Sequence, residues 1–473
     1  MKTYTLIPKD LLFFRDGRPM ETSGGHGARW PEPSIIFNAL HAALWRAFPQ
    51  PQPWEHLHDF GRSSFRPRNG NNQRFGSLTT AGLFPVWKDQ RWLFPAPADV
   101  VPSDPNDKVG WLLYPQEKGH TNLPAEFLSY TVGSYAKPSK DFIPPWWTVA
   151  AWQAYLEGNK PAPDTLFHNE DLFAGEWTTG IGIDPRTQTQ DGEHIYSAEY
   201  LRLRPEVRCG FIASLLMKQN APQTKPEAAQ ASPLECIQNL FCHNDTIIVG
   251  GQQRPCKVEA FEQNGDGLPL PKGRQEKFNE SNGKVLLKWV MLTPAIWPEI
   301  RKDSARNIAA HPGGWLPNWV CPTTGKVFLK AGPLDRQPGE SRDNWRRRVR
   351  QADSINARLV AAVVPKPITV TGWTERLHLL QAEPHWNQNG RGHGPRPTHL
   401  AVPAGAVYYF EADSAEDAEK LAAALNWHGG GDYTRIKNRR STLLGEQGFG
   451  LGVCGTWTFY PFSKANVSEH RQK

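Results

Sequence analysis

Near the start of the chain, Phe14-Arg15-Asp16-Gly17-Arg18 sets two arginines on either side of an Asp-Gly turn. A glycine cluster with one histidine follows, Gly24-Gly25-His26-Gly27, and then Arg29. Guanidinium groups meet phosphates with a two-pronged fork, and glycine lets backbone come close to a ligand. These residue types suit contact with one end of a nucleic acid. A histidine of near-neutral pKa beside an arginine also supplies part of what RNA cleavage by a 2′-hydroxyl requires, a base and a stabiliser of developing charge. No second histidine, tyrosine or lysine lies close by in the sequence, so cleavage, RNA contact and a solvated loop all stay open for His26. For Arg15 and Arg18 the alternatives are an internal pair with Asp16 or contact with phosphates and bases.

Further arginines cluster beside aromatic rings. The runs are Arg62–Arg74 with Phe65 and Phe75 within or beside it, Arg342–Arg350 with Trp345, and Arg435–Arg440 after Tyr433. Single-stranded nucleic acid is held in this way, by cations on phosphates and rings on bases, and solvated basic faces are the alternative. Arg346, Arg347, Arg348 and Arg350 fall all round a helix, so some must face away from any one ligand. Downstream, the loop LLGEQGFGLG carries Gly445, Gly448, Gly450 and Gly452. A dinucleotide-binding loop needs a strand before it and a helix after, and here the order is reversed; a Gly-Lys-Ser/Thr phosphate loop is absent. The loop is therefore either packing or a backbone surface for an extended polyanion, with Arg435, Lys437, Arg439 and Arg440 just upstream.

Composition narrows the classes. Lys and Arg exceed Asp and Glu by 54 to 47, a net +7 that permits a polyanionic partner without requiring one. No segment approaches the ~18 uninterrupted apolar residues of a membrane span, and the first residues lack a signal-peptide pattern, so we expect a cytoplasmic protein with no membrane partner. Six scattered cysteines form no Cys-x-x-Cys pair, and Cys236, Cys242 and His243 lack a second half with ligand spacing. No metal and no cofactor is expected.

The elements that must position these residues follow from pattern. Residues 2–8 alternate as a strand, and residues 34–48 read as a helix opened by Pro33-Ser34 and bearing Ile35, Phe37, Leu40, Leu44 and Phe48. Residues 178–215 alternate, break at a polar tip from Asp184 to Glu193 that carries Arg186, and resume as a projecting hairpin. Asp184 at its base reads as a turn former. Residues 246–260 form two strands joined through Gly250 and Gly251, ahead of Arg254. Polar stretches at 218–233 and 262–284 read as insertions, and the second marks a boundary between residues 1–283 and 284–473. Beyond it come strands near 284, 357 and 399, a helix after Ser414, the glycine loop and a last strand at Val453–Tyr460. The class is α+β, and a βαββαβ unit fits.

The opening LLFFRDGRP, the hairpin GIGIDPRTQTQDGEHIYSAEYLR, the VGGQQRP turn and the LLGEQGFGLG loop, in that order, resemble the RAMP superfamily of CRISPR proteins. More narrowly, they are similar to the type III-B subunit that holds the 5′ end of the guide RNA. The resemblance implies two ferredoxin-like, RNA-recognition-like domains, an N-terminal one over 1–283 with a thumb hairpin at about 178–205 and a C-terminal one over 284–473 with its glycine-rich loop at 445–452. It implies a non-catalytic subunit that grips the 5′ tag of the guide (crRNA) and meets the guide–target duplex. Its protein neighbours would be the large polymerase-like subunit and the repeating backbone subunit. Arg15, Arg18, Gly24, Gly25, His26, Arg29, Arg186, Arg254, Arg439, Arg440 and the four loop glycines are the RNA-binding candidates this implies. Ile183, Asp184, Thr187, Gln188 and His194 would form the thumb tip. Two other readings are an endoribonuclease that matures guides through His26, and a scaffold with little RNA contact.

Overall fold

The computed structural model describes residues 1–15, 24–25, 30–47, 75, 78–103, 110–117, 119–134, 139, 141–215, 240–241, 245–261, 267–305, 308–332, 340–374, 394–395 and 397–460. Four strands form the centre of a first antiparallel sheet: β1 (Lys2–Pro8), β2 (Thr79–Trp87), β3 (Arg208–Ser214) and β4 (Arg254–Ala260). Their spatial order is β4-β1-β3-β2, extended by Thr246–Val249 beyond β4 and by three short strands beyond β2. Tyr4 pairs with Phe211 and Ala260, and Leu6 with Cys209 and Val258. The strict alternation of β1 therefore buries Tyr4 and Leu6 together with Phe211 and Cys209.

Helix α1 (Ser34–Ala47) covers that face. Ile36, Leu40 and Leu44, four residues apart, are wholly buried, whereas Ile35 and Phe37 are only partly so. The buried stripe keeps Leu40 and Leu44 from the sequence reading and has Ile36 in place of Ile35 and Phe37. Phe48 lies outside the described residues.

The second sheet has at its centre β5 (Lys284–Met291), β6 (Ala357–Val363), β7 (Val407–Ala412) and β8 (Gly452–Thr456), in the order β8-β5-β7-β6, with the short strand Asn279–Ser281 also paired to β5, and it is antiparallel throughout. Helix α2 (Val149–Leu156), α3 (Arg342–Gln351) and α4 (Ala415–Leu425) complete the larger helices. Ser414 caps α4 by accepting from the Asp417 N–H at 3.1 Å, as its place in the sequence suggests. Leu287, Trp289 and Phe410 lie on the face under Leu421 and Leu425 of α4. The opposite face, with Leu286, Val290 and Tyr409, shares a core with Phe84, Ile212 and Trp152. The two sheets therefore meet through one continuous apolar layer.

Two expected strands are divided. The run after 357 splits into β6 and Ile368–Val370 around Pro365 and Pro367, and the run after 399 splits at a turn where Gly405 takes φ +85°. The last strand ends at Thr456, four residues earlier than expected. Among the described residues no helix is long and apolar enough to cross a membrane, and no group of three or more His, Cys, Asp or Glu could hold a metal ion. Cys209, Cys256 and Cys454 are free and buried.

Candidate nucleic-acid interface

The opening turn is anchored from both sides. Leu12 exchanges two backbone hydrogen bonds with Leu201 of the hairpin, at 2.9 and 2.8 Å, and the Phe13 carbonyl accepts from Gly251 N–H at 2.9 Å. Gly250 has φ +73°, and a Cβ there would lie 2.5 Å from the Phe13 oxygen, so only glycine fits. Phe14 is buried and Arg15 is exposed. Arg15 lines a cleft of about 460 Å³ with Glu32, Asn38 and Arg46 on one side and Thr371 and Gly372 on the other. Gly24 and Gly25 form a two-residue strand parallel to Ser197 and Ala198 of the hairpin. Arg18, His26 and Arg29 lie outside the described residues.

Arg254 is held in the base of the hairpin. Its guanidinium lies 4.8 Å from the centre of the Tyr200 ring, donates to Gln252 Oε1 at 3.2 Å and approaches Asp10 at 3.7 Å. Tyr200 in turn donates to Gln252 and packs on Phe13. A neighbouring pair, Arg202 with Glu176, also reaches Asp10. These contacts of Arg254, a candidate for RNA contact, tie the opening turn, the glycine turn and the hairpin into one unit, while its Nε is buried without a partner among the described residues.

The hairpin runs out as Phe173–Ile183 and returns as Gln190–Leu203. At its tip, Asp184 Oδ1 accepts from Arg186 N–H at 2.7 Å, and the Asp184 carbonyl accepts from Gln188 N–H at 2.8 Å. That is the turn-forming role expected of it. Gln188 takes φ +56°, and the Thr187 and Thr189 hydroxyls bond to each other at 2.8 Å. Arg186 is exposed, and His194 lies on the returning strand, its side chain outside the described set. Sequence reading named Ile183 and missed the apolar row it belongs to: Trp177, Ile181, Ile183 and Ile195 are 50–62% exposed along the hairpin. The signal was present in the alternation of Ile181 and Ile183, and Ile181 pairs across the hairpin with Ile195.

The glycine loop separates into two kinds of position. A Cβ on Gly450 (φ +77°) would lie 2.1 Å from Ser441 N, one on Gly452 would lie 2.3 Å from the Trp289 indole nitrogen, and one on Gly448 (φ +98°) would touch β2 at 3.0 Å. All three are buried against protein, which favours the packing alternative at these positions. Gly445 is partly exposed, and its nearest neighbour is the Arg439 side chain at 3.4 Å.

The two arginines before the loop differ in the same manner. Arg440 turns inward, where Nε donates to the Ala424 carbonyl at 2.6 Å and Nη2 to Asn438 at 3.1 Å. It caps the last turn of α4, a structural role for a residue that the family resemblance put among the RNA-binding candidates. Among the described residues Arg439 makes a single bond, Nη1 to the Ile436 carbonyl at 3.4 Å, while Nε and Nη2 are buried without a partner. Burial lowers both guanidinium pKa values to about 10, with Glu446 opposing the shift at Arg439. Arg435 and Lys437 are drawn to Asp432 at 2.8 and 3.5 Å. The Thr434 hydroxyl and N–H, with these two cations, hold the Asp432 carboxyl far below its ordinary range.

The arrangement contains backbone and guanidinium donors at two places, the Arg15 cleft and the Arg439–Gly445 turn, and an exposed apolar hairpin. It has donors for an anion and surfaces for bases.

Comparison with known proteins adds the following. A family model described as "CRISPR-associated protein (Cas_Cmr3)" matches residues 4–457. No curated protein matches. Among solved structures, a chain of the type III-B Cmr-beta complex bound to cognate target RNA and AMPPnP is similar at 13% identity and TM-score 0.36, covering 86% of each chain. A chain of the Csm3–Csm4 subcomplex of the type III-A interference complex is similar at 9% identity and TM-score 0.33, over 86% of this chain and 92% of that one. A chain of the Csm1–Csm4 cassette in complex with pppApA is similar at 14% identity and TM-score 0.27, over 63% and 81%.

Proposed function

Because the chain belongs to the CRISPR-associated Cmr3 family, we propose that it is the guide-binding subunit of a type III-B interference complex, holding the 5′ tag of the crRNA. In this reading it carries out no chemical step. It links the large polymerase-like subunit to the repeating backbone subunit, at the end of the complex where the guide begins.

The observation that carries the reading is Arg439. Two of its donors are buried with no acceptor among the described residues, directly beside the one loop glycine that is open, Gly445. An unpaired buried guanidinium is costly, and a phosphate arriving at the Gly445 turn would satisfy it. The strand orders β4-β1-β3-β2 and β8-β5-β7-β6 support two ferredoxin-like domains, and the pairing of Asn279–Ser281 with β5 favours a boundary slightly before the expected division into residues 1–283 and 284–473. The exposed Ile181, Ile183 and Ile195 support a thumb that wedges across the guide–target duplex, where unstacking a base pair costs a few kcal/mol.

The test is a filter-binding titration of the full chain against guide RNA with its tag intact or scrambled, at several salt concentrations, with RNA integrity checked on a gel. Tighter binding of the tagged, uncut RNA, with log affinity falling by about 0.7 per phosphate contacted as log salt rises, is the expected result. Cleavage within the repeat would replace this reading with an endoribonuclease using His26. Binding that ignores the tag would replace it with a scaffold.

A further inference from the structure

After Asn318 the chain forms a short hairpin that widens the second sheet beyond β6. Lys326 lies opposite Arg358 and Lys330 opposite Ser354, with Val327 N–H donating to the Ala357 carbonyl at 2.9 Å. Val327 and Leu329 turn into the core beneath α4. A period of two therefore sends Lys326, Phe328 and Lys330 to the other face. Phe328 is 54% exposed, and Lys326 is exposed beside it. Lys330 Nζ donates to Ser354 Oγ at 2.9 Å, and Arg358 reaches Ser129.

The charge around the ring is one-sided. Among the described residues neither Lys326 nor Lys330 has a carboxylate at ion-pair distance; Asp353, beside Ser354, is turned to Lys420 at 3.9 Å. Helix α3 ends two residues before Asp353, and it adds to the positive field. Its Arg348 is neutralised by a bidentate pair with Glu340, both bonds 3.0 Å, which leaves Arg346, Arg347 and Arg350 within about 100° of one another on the helix. Arg346 has only a distant partner in Asp343, at 4.0 Å.

A flat ring with a cation two residues away on each side offers a stacking face for a base and donors for the phosphates before and after it. An acidic protein surface would use the lysines and leave the ring without a purpose. An apolar partner would use the ring and strip water from the lysines at a cost. Single-stranded RNA uses both. We propose that Lys326, Phe328 and Lys330 form a platform for an unpaired RNA segment other than the tag. The proposal is independent of the tag-holding reading, because it concerns a different surface and a tag-free ligand.

The test uses the full-length protein and a short fluorescent oligouridine that contains no tag. Phe328→Ala should weaken its binding about tenfold, as loss of one stacked base does, and Phe328→Trp should restore it. Lys326→Ala with Lys330→Ala should lower the dependence of log affinity on log salt by about 1.4, two phosphates' worth. The ratio of tagged to scrambled guide affinity should stay the same in all of these variants, and a loss of that ratio in Arg439→Ala would bear on the tag site alone. Unchanged oligouridine binding by Phe328→Ala overturns the proposal. So does a Phe328→Ala protein that binds RNA normally but no longer assembles with co-expressed subunits, since the surface would then be a protein contact.

Discussion

Lys288 on β5 donates to Asp99 at 2.9 Å, with the two side chains 5% and 1% exposed. Asp99 follows β2 and the short strand Arg91–Pro95 of the first sheet, so this bond joins residues 189 positions apart across the layer between the sheets. Tyr155 and Tyr409 donate to the same carboxylate at 2.6 and 3.1 Å, and Lys288 Nζ lies 3.9 Å from the centre of the Tyr155 ring. A buried carboxylate with three donors is stable only while all are present. Lys288→Met should therefore cost about 3–5 kcal/mol. The double variant with Asp99→Leu should recover at least half of that, since it leaves no uncompensated charge. Thermal melts of the two proteins decide it, and equal losses would mean that the pair is not the fastening between the sheets.

The glycine loop gives a sharper contrast between two substitutions of the same kind. Gly450→Ala forces a left-handed residue into Ser441 and should destabilise the fold by at least about 2 kcal/mol. Gly445→Ala meets only the flexible Arg439 side chain at 3.4 Å and should change stability by less than about 0.5 kcal/mol, while reducing affinity for tagged RNA several-fold. Comparable melting losses in both variants would remove the distinction between packing glycines and an open one.

Local pattern made the elements readable, and distance in the sequence hid the site. The strand at residues 2–8, the hairpin and the Ser414-capped helix rest on alternation, turn residues and a cap, all of which lie within a few positions. Arg439 and Arg440 are adjacent, and nothing local separates them. Arg440 is fixed by the Ala424 carbonyl at the end of α4, sixteen residues earlier. The loop glycines look alike in sequence, and only the neighbourhood of β2, Ser441 and Trp289 shows that three of them answer to packing. Phe328 was unremarked because one ring in an alternating strand reads as core until Val327 and Leu329 are seen to fill that place.

Removing the two arginines one at a time should separate stability from binding. Arg440→Ala deletes two good hydrogen bonds at the end of α4 and should cost about 1–3 kcal/mol, with tag preference retained. Arg439→Ala relieves a buried guanidinium whose Nε and Nη2 have no partner, and should leave stability unchanged or slightly raised. It should weaken binding of tagged RNA and lower the salt slope by about 0.7. Denaturant midpoints and filter binding on both variants provide the check. A tag preference lost in Arg440→Ala and kept in Arg439→Ala would reverse the assignment.

His428 sets a limit on stability at low pH. It is wholly buried between Trp427 and Tyr433, with neither ring nitrogen in a hydrogen bond of ordinary geometry. Burial lowers its pKa from 6.5 to about 4, with Lys437 and Lys272 pushing the same way and the Gly429 backbone and Asp432 opposing. Because the folded value is the lower one, the unfolded chain takes up a proton that the folded chain refuses between pH 6.5 and about 4. Stability is therefore lost as pH falls through that window, by up to about 1.4 kcal/mol per pH unit. At pH 5 the loss from this residue should be about 2 kcal/mol relative to neutral pH. His428→Leu, which cannot take the proton, should show a correspondingly shallower fall in melting temperature between pH 6.5 and 5. Parallel curves for the two proteins would mean that His428 is charged in the folded state or reached by water.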